Sequence, residues 1–331
     1  MAFDNVKLDK GLYCAGKSFT QALEEIDPSE QYHGTSLDGL DSFERQLKRF
    51  GIRVSGPGSD RVEKFFQNAN TATLFPEFVA RTVEKGMKEA SNLEAIVAAT
   101  TQIDGNDYRS LRTWYDDSPA SPREEAQLLA QSHIQGKNSL VQMAKFGTVM
   151  NVTYETLRIH RIELLTVILR KYGVGIAKGL LGFAVQVLQN GDGSPEEQAQ
   201  TISRAGSTLS YDDLIRLWSS LDVFHMNTML VNNVTAQEIL AMPEMRDGAA
   251  GLDFHGSGNL GTPLGAELVA NPIVPANLVI GFDRNAALEM VEAGGIITDY
   301  DRLIDRQFHR AGISTTVGFS KIFNEAAAVL Q

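Results

Sequence analysis

The chain carries apolar side chains at helical spacing without a break from Thr153 to Gln189. A helix of that length spans about 55 Å, which is more than a small domain needs. The pattern predicts one long spine helix with a buried face and a charged opposite side. The predicted buried face comprises Leu157, Leu164, Ile168, Tyr172, Ile176, Leu180, Phe183 and Val187, widened by Leu165, Leu169, Ala177, Leu181, Ala184 and Leu188.

Four glycines lie within this helical pattern, although each costs roughly 1 kcal/mol relative to alanine. A helix that tolerates them depends on tertiary packing, and we expect the glycines to allow a close approach or a bend. Gly179 is the position where we expect a leucine to disturb that packing. The four positions are Gly173, Gly175, Gly179 and Gly182.

The region before residue 70 is polar and contains two short helical patterns. The first begins at Ser18, which can cap a helix with Gln21 in a capping box. The second places Leu40, Phe43, Leu47 and Phe50 at helical spacing. We therefore expect this region to form an N-terminal arm that docks on something else.

The chain becomes rich in core-like residues from Thr73, where Pro76 is expected to start a helix. A polar excursion rich in Asp, Ser and Pro follows, and the chain returns through an alternating stretch at residues 146–152. Long excursions in compact domains are usually functional or intermolecular. Because extended runs flank this one, the sequence predicts a projecting β-hairpin.

The spine helix is expected to end at Asn190 and Gly191, because this pair suits a C-cap and Pro195 prevents continuation. Beyond it, helices and strands are interleaved in an α+β order. Ser210 is a candidate cap for the next helix, and RNAALEMVEAGG is expected to form a short helix or a turn leading into one. The expected strands are MNTMLVNN, NPIVPANLVIGFD and the closing stretch from Arg306.

Composition favours a soluble globular chain, with 43% hydrophobic and 21% charged residues. The formal net charge of −11 shows no dominant basic footprint of the kind that nucleic-acid binders carry. Cys14 is the single cysteine, so an intrachain disulfide cannot form, which fits a reducing cytoplasm. The most apolar tract is interrupted by Lys178 and is shorter than a membrane span.

A phosphate-loop pattern, G-x-x-x-x-G-K-S, runs from Gly11 through Gly16 and Lys17 to Ser18. Such a loop cradles phosphates with its backbone amides only where it leaves a buried strand and enters a helix. The helix is expected here, but the preceding MAFDNVKLDK is charged and too short to be a central strand. A nucleotide site remains the alternative to an N-terminal arm that carries a short helix.

No other pattern predicts catalytic, cofactor or metal residues. A G-x-G-x-x-G run at Gly256, Gly258 and Gly261 lacks the strand and helix of a dinucleotide site. The six histidines are not paired at metal-ligand spacing, and Cys14 has no evident activating base. The adjacent acidic pairs face different ways on a helix or strand, so we expect them on the solvated surface; they are Asp116–Asp117, Glu124–Glu125 and Asp212–Asp213.

The order of these parts resembles the major capsid proteins of tailed double-stranded DNA bacteriophages, which share the Hong Kong 97-type fold. KFGTVMNVTYETLRIHRIELLTVILRKYGVGIAKGLLGFAVQVLQNGDG is similar to that family's strand, spine helix and G-D-G turn at Gly191, Asp192 and Gly193. LSYDDLIRLWSSL with MNTMLVNNVTAQEIL resembles the axial domain, and GTPLGAELVANPIVPANLVIGFD resembles the family's Gly-x-Pro loop and strand. The resemblance covers about Thr73 to Leu330.

The resemblance implies an α+β subunit with an arm, an extended hairpin loop, a peripheral domain and an axial domain. It also implies that the short arm works with a separate scaffolding protein or with none. Some family members cross-link their subunits through a Lys and an Asn, but the sequence assigns no such role to Lys137 or Lys145. The implied ranges are 1–72 for the arm, 73–193 for the peripheral domain with a loop at about 104–145 and a spine helix at about 153–189, 194–299 for the axial domain and 300–331 for returning strands.

The function implied is structural rather than enzymatic: self-assembly into the icosahedral shell of a phage or prophage. The implied partners are other copies in pentamers and hexamers, a scaffolding protein, a portal and a decoration protein. The shell would be assembled in the host bacterial cytoplasm and would enclose double-stranded DNA without specific binding or a membrane. The alternatives are an encapsulin-type nanocompartment shell and a nucleotide-binding enzyme that uses Gly11–Ser18.

Overall fold

The computed structural model describes residues 4–13, 18–90, 93–114, 133–193, 197–206, 208–246 and 263–331. Their helices are α1 (Phe19–Ile26), α2 (Ser42–Arg49), α3 (Ala69–Ala90), α4 (Tyr154–Ile159), α5 (Ile162–Asn190), α6 (Tyr211–Ser219), α7 (Asn233–Ala241) and α8 (Pro243–Arg246). Their strands are β1 (Ala99–Ile103), β2 (Leu111–Trp114), β3 (His133–Gly136), β4 (Met143–Thr153), β5 (Gln200–Ile202), β6 (Thr228–Val231), β7 (Glu267–Ala270), β8 (Val279–Phe282), β9 (Leu288–Leu303), β10 (Phe308–Lys321) and β11 (Ala327–Leu330).

The chain forms two compact units, each gathered from separate stretches. Unit 1 contains Met1–Ser91, Lys145–Leu180 and Ala293–Thr316, and unit 2 contains Asn92–Ala144, Leu181–Glu292 and Val317–Gln331. The predicted ranges 1–72, 73–193, 194–299 and 300–331 follow the chain in order, whereas α5, β9 and β10 each contribute residues to both units.

The N-terminal region of unit 1, which contains α1 and α2, packs against other parts of the same unit. Ser18 caps α1 in the predicted capping box with Gln21, and Asp41 caps α2 in the same way with Glu44. The buried side chains of the region include Phe19, Leu23, Phe43 and Leu47, and its ionic contacts reach α3. The sequence predicts an arm that docks on something else, and in the single chain these residues also pack within unit 1.

The prediction that Pro76 starts a helix was wrong, because α3 begins seven residues earlier, at Ala69. The Asn68 side chain accepts the Thr71 amide at 2.8 Å and so caps α3 ahead of the proline. At the turn that contains Pro76, the Tyr13 hydroxyl donates to the Thr73 carbonyl at 2.7 Å and accepts the Glu77 amide at 3.1 Å. Tyr13 therefore bridges the backbone groups that a regular helix would join directly.

The single helix expected over 153–189 is two helices, α4 and α5, separated at His160 and Arg161. Residues 60–62 cross the chain here: the Val62 amide donates to the His160 carbonyl at 3.2 Å, and the Ile162 amide donates to the Asp60 carbonyl at 2.8 Å. Arg61 and Arg161 form the intervening antiparallel bridge. The helix stops because its backbone groups bond to a sequence-distant segment.

The expected buried face of α5 was displaced in the part that belongs to unit 1. Leu164 and Ile168 are 49% and 44% exposed, whereas Leu165, Leu169 and Ile176 are buried. Two glycines explain the rotation: a Cβ at Gly173 would lie 2.8 Å from the Met87 amide nitrogen, and one at Gly86 would lie 2.7 Å from the Arg170 Cα. Because only backbone fits between α3 and α5 there, the glycine side of α5 must face α3.

The strands of the described residues form three sheets. One has the order β1-β9-β10-β4, another has the order β5-β11-β8-β6-β7, and β2 pairs with β3 alone. The predicted helix in RNAALEMVEAGG was wrong, because β9 starts at Leu288, directly after a turn in which the Ala287 amide donates to the Asp283 carbonyl at 2.9 Å. The Ala98 amide donates to the Leu288 carbonyl at 2.8 Å, so tertiary pairing overrides local helix propensity.

The core of unit 2 lies around its five-stranded sheet and was largely predictable. β6 and β8 are buried throughout and pair antiparallel, with Leu230 opposite Ile280. The expected helix after Ser210 is α6, and Ser210 caps it in a capping box with Asp213. Leu214, Leu217, Ile239 and other apolar side chains of α6 and α7 close one hydrophobic cluster with the sheet.

Candidate functional site

The predicted hairpin is confirmed as the antiparallel pair β2 and β3 in unit 2. Leu111 pairs with Gly136 and Thr113 pairs with Ile134, so Leu111 and Ile134 lie diagonally on one face. Leu111 is 57% exposed and Ile134 is 67% exposed. The part of the expected 104–145 loop at residues 115–132 lies outside the described residues. The described hairpin thus presents large aliphatic side chains to solvent within this chain.

The base of the hairpin is held by a short backbone ladder. The Lys137 amide donates to the Ser110 carbonyl at 2.8 Å, and the Val141 amide donates to the Tyr108 carbonyl at 2.9 Å. The Arg109 guanidinium adds a bond of 3.0 Å to the Asn138 carbonyl. Ser110 and Lys137, the residues that flank the two strands, are both buried.

A buried carboxylate holds the incoming end of the hairpin. Glu289, at the start of β9, accepts the Thr101 hydroxyl at 2.6 Å and the Tyr108 hydroxyl at 2.7 Å. It also accepts the Ser110 hydroxyl on its other oxygen. Through these three hydrogen bonds, Glu289 ties both β1 and the hairpin base to β9.

A second buried cluster holds the outgoing end. The Lys137 ammonium lies 2.7 Å from Glu197 Oε1, 3.2 Å from Asp192 Oδ2 and 3.1 Å from Ser320 Oγ. The Ser320 hydroxyl donates to the same Asp192 oxygen at 2.7 Å, and the Lys321 ammonium donates to the Glu197 carbonyl at 3.1 Å. The cluster therefore joins the hairpin, the turn after α5 and the end of β10.

The G-D-G turn brings Asp192 into this cluster. Gly191 and Gly193 have φ angles of +77° and +119°, a region that favours glycine. A Cβ at Gly191 would also lie 2.7 Å from the Glu197 Cβ, so the turn needs glycine for space as well as for conformation. The motif that carried the sequence resemblance thus serves to place a buried carboxylate beside Lys137.

Burial and the neighbouring groups separate the pKa values in the cluster. Burial and the adjacent Asp192 carboxyl raise the pKa of Glu197 above its usual range. Burial also opposes ionisation of Asp192, but the Glu197 carboxyl, the Ser320 hydroxyl and the Lys137 charge together hold its pKa below the usual range. Burial lowers the pKa of Lys321 to about 8. Asp192 therefore ionises at a lower pH than Glu197, and it is the first of the two carboxyl groups to balance the Lys137 charge as the pH rises.

Unit 1 carries a second exposed apolar group, which we call the α5 patch: Leu164, Val167 and Ile168. Val167 is 62% exposed, and the other two residues are the ones that were expected in the core. Large aliphatic side chains at i, i+3 and i+4 form a continuous stripe on one helix face. Because exposed apolar stripes of this kind mark interaction surfaces, the α5 patch is a candidate binding surface.

The phosphate-loop alternative finds no support in the residues described around it. Gly11 lies in a short 3₁₀ turn rather than after a strand, and its amide donates to the Asp9 carboxylate at 2.9 Å. The Ser18 hydroxyl accepts the Gln21 amide as the α1 cap. Gly16 and Lys17, with Cys14, lie outside the described residues.

The other patterns weighed in the sequence do not come together. Gly256, Gly258, Gly261, Asp116–Asp117 and Glu124–Glu125 lie outside the described residues. Asp213 is buried in its capping box, whereas Asp212 is exposed. Over the described ranges, three or more His, Cys, Asp or Glu side chains nowhere approach closely enough to hold a metal ion. In the same part of the chain, no helix combines the length and the apolar character needed to cross a membrane.

Solved structures of particle proteins share this fold. A virus-like particle from Pyrococcus furiosus matches with a TM-score of 0.52 and 13% identity over 77% of this chain and 98% of that chain. The capsid of an empty GTA particle matches with a TM-score of 0.53 and 12% identity over 73% of this chain and 89% of that chain. A structure from Microbacterium phage Oxtober96 matches with a TM-score of 0.52 and 11% identity over 73% of this chain and 91% of that chain.

The fold is therefore the Hong Kong 97-type capsid fold, as the sequence resemblance implied. No protein-family model and no curated protein matches the chain, so the likeness rests on structure. Sequence reasoning found the hairpin and the G-D-G turn but missed the buried clusters around Lys137 and Glu289. The G-D-G turn was the available signal for the Lys137 cluster, and nothing in the sequence pointed to Glu289.

Proposed function

We propose that this chain is the major capsid subunit of a tailed phage or of a prophage-derived particle. The observation that carries the proposal is the shared fold, which covers about three quarters of this chain and nearly the full length of capsid and particle proteins. The chain is then a structural building block and not an enzyme.

The exposed apolar side chains support a role in assembly. The hairpin presents Leu111 and Ile134, and the α5 patch presents Val167, all more than half exposed in the single chain. Burying an aliphatic side chain of this size is worth about 1.5–3 kcal/mol, so copies that cover these surfaces gain free energy. Repeated heterologous contacts whose rotation closes produce rings, as a shell of pentamers and hexamers requires.

The same proposal also names what the shell would contain and which proteins would act on it. The shell would enclose double-stranded DNA, and a net charge of −11 supports a wall that does not grip it. Scaffolding, portal and decoration proteins would act on the assembled shell, which forms in the bacterial cytoplasm and ends in the virion. The arm (1–72), the hairpin loop (104–145) and the domains 73–193 and 194–299 would serve as contact regions between copies.

Electron microscopy and sedimentation velocity of the purified full chain test the proposal. We expect closed shells or capsomers, and we expect Val167→Asp to prevent them while leaving the circular dichroism melt unchanged. Gln186→Asp, also exposed on α5, is the matched control and should assemble normally. A monomer at every concentration and salt condition would refute the shell function.

The two alternatives give different results in the same preparation. An encapsulin-type compartment would also form shells but would co-purify with protein cargo, whereas a capsid co-expressed with its partners should protect DNA from nuclease. A nucleotide-binding enzyme would bind a labelled ATP analogue and lose that binding in Lys17→Ala. Absence of binding at millimolar analogue would exclude the use of Gly11–Ser18.

A further inference from the structure

We propose that Lys137 is a positioning residue, whose buried ammonium clamps the base of the β2–β3 hairpin to the G-D-G turn and thereby sets the direction of the hairpin before assembly. The statement about assembly rests on the proposed shell function. The statement about the hairpin concerns unit 2 alone and stands independently of that function.

The hairpin needs such a device because its own strands are weakly held. All four residues of β3 are exposed, as are Leu111 and Arg112 of β2. An isolated two-stranded hairpin is marginally stable at best in water. Its direction is therefore determined where it leaves unit 2, at Ser110 and Lys137.

Lys137 is suited to this role by its position and its partners. It follows β3 directly, and its three side-chain acceptors lie on two other parts of the chain, the segment after α5 and the end of β10. Ser320 and Asp192 also bond to each other, which braces the acceptors. Glu289 holds the opposite end through Ser110, so both ends of the hairpin finish at a buried carboxylate.

The buried charges make the clamp stiff. If the hairpin base moved by more than a hydrogen-bond length, Asp192 would be left as a buried carboxylate without the Lys137 counter-charge, and such a group is strongly penalised. One oxygen each of Asp192 and Glu197 already has no hydrogen-bond partner, so losing the Lys137 contacts would add to the unsatisfied polar atoms buried in the cluster. Opening the clamp therefore costs free energy, which favours the one direction of the hairpin that keeps these contacts.

Hydrogen exchange on the dilute, unassembled full chain tests the positioning role. In Lys137→Met we expect the hairpin amides at 111–114 and 133–136 to exchange about tenfold faster or more, which corresponds to about 1.4 kcal/mol of local protection. We expect the amides of β6 and β8, on the five-stranded sheet, to keep their protection. Lys321→Met is the matched control, because Lys321 is also buried in the same cluster but does not belong to the hairpin.

A second variant separates positioning from the cost of a stranded charge. Lys137→Met/Asp192→Asn removes the carboxylate that would lose its counter-charge along with the lysine, so overall stability should recover while the hairpin still exchanges fast. Three results would overturn the proposal: unchanged hairpin exchange in Lys137→Met, the same acceleration in Lys321→Met, or recovery of hairpin protection in the double variant. Uniform acceleration across unit 2 in both Lys137 variants would also overturn it, because it would show a general core role.

Assembly kinetics by light scattering then connect the clamp to the proposed function. We expect the double variant to form shells at least about tenfold more slowly than the wild type at a similar melting temperature. A hairpin without a fixed direction spends only a small fraction of the time in the orientation that can dock on a neighbouring copy. Equal rates would refute the assembly statement while leaving the exchange result intact. If the wild type never forms shells, the shell function fails, and the exchange measurements still decide the role of Lys137.

Discussion

The close crossing of α3 and α5 in unit 1 predicts opposite effects for two glycines that are two residues apart. At Gly173 an alanine Cβ would lie 2.8 Å from the Met87 amide nitrogen and closer still to the Val83 carbonyl oxygen, against 3.4–4 Å for ordinary contact. The opposing atoms are backbone, so the helices themselves must separate. Overpacking of this kind costs about 1–3 kcal/mol, and alanine regains up to about 1 kcal/mol of helix propensity.

Gly175 provides the control within the same helix. It is exposed, and a Cβ there would meet no atom within 4 Å, so Gly175→Ala should stabilise the chain by up to about 1 kcal/mol. Because Gly86 forms a similarly tight contact on the facing helix, we expect an overpacking cost of about 3 kcal/mol. Less about 1 kcal/mol of regained helix propensity, Gly173→Ala should destabilise the chain by about 2 kcal/mol.

Urea denaturation of the unassembled chain, followed by circular dichroism, measures both variants. The midpoint should fall for Gly173→Ala and rise for Gly175→Ala at an unchanged slope, and thermal melts should move by about 2–4 °C per kcal/mol. A Gly173→Ala variant as stable as the wild type would show that the helices do not touch backbone to backbone. Gly179→Leu should have a smaller effect than its size implies, because the nearest atom to a Cβ there is the Phe146 ring at 3.2 Å.

Three further perturbations test other parts of unit 1. Tyr13→Phe removes the hydroxyl that bridges the turn at Pro76 and should cost about 1–2 kcal/mol in urea denaturation; no loss would show that water replaces the bridge. Arg45→Met leaves the buried Asp27 carboxylate without its counter-ion and should lower the free energy of unfolding by about 3–5 kcal/mol. Adding Asp27→Asn should recover most of that loss. A double variant as unstable as the single one would contradict this explanation. Burial lowers the pKa of His309, so the unfolded chain binds a proton more readily than the folded chain, and stability should fall as the pH drops below about 6.5. Thermal melts at about pH 7.5 and about pH 5 should show this loss in the wild type but not in His309→Phe. Equal losses in both proteins would show that His309 is not the group responsible.

Local signals in the sequence determined where many elements begin. Ser18 and Ser210 were predictable caps because a capping box involves only residues three positions apart. The hairpin and the strands β6 and β8 were also predictable, since alternation and buried apolar runs are properties of short segments. The fold class followed from the order of these elements, and the structural likeness confirms it.

The candidate site was only half visible in the sequence. The hairpin was predicted, but the charges at its base come from positions 137, 192, 197 and 289, which are brought together only by the tertiary fold. A buried Lys or Glu resembles a surface Lys or Glu in the sequence, because solvated charge is the ordinary condition of both residues. Leu164 and Ile168 of the α5 patch were likewise assigned to the core, since a periodic apolar stripe does not reveal which part of it is covered.

By itself the sequence determined most kinds of secondary structure, the caps at Ser18 and Ser210 and the G-D-G turn, because these depend on propensities and hydrogen bonds between near neighbours. Tertiary structure alone decided the break at His160, the strand at Leu288 and the rotation of α5. Each of these depends on backbone groups of sequence-distant segments that bond or touch at a single place: residues 60–62 at the break, Ala98 at the strand and Gly86 against α5. Contacts of that kind leave no periodic pattern in either of the segments that make them.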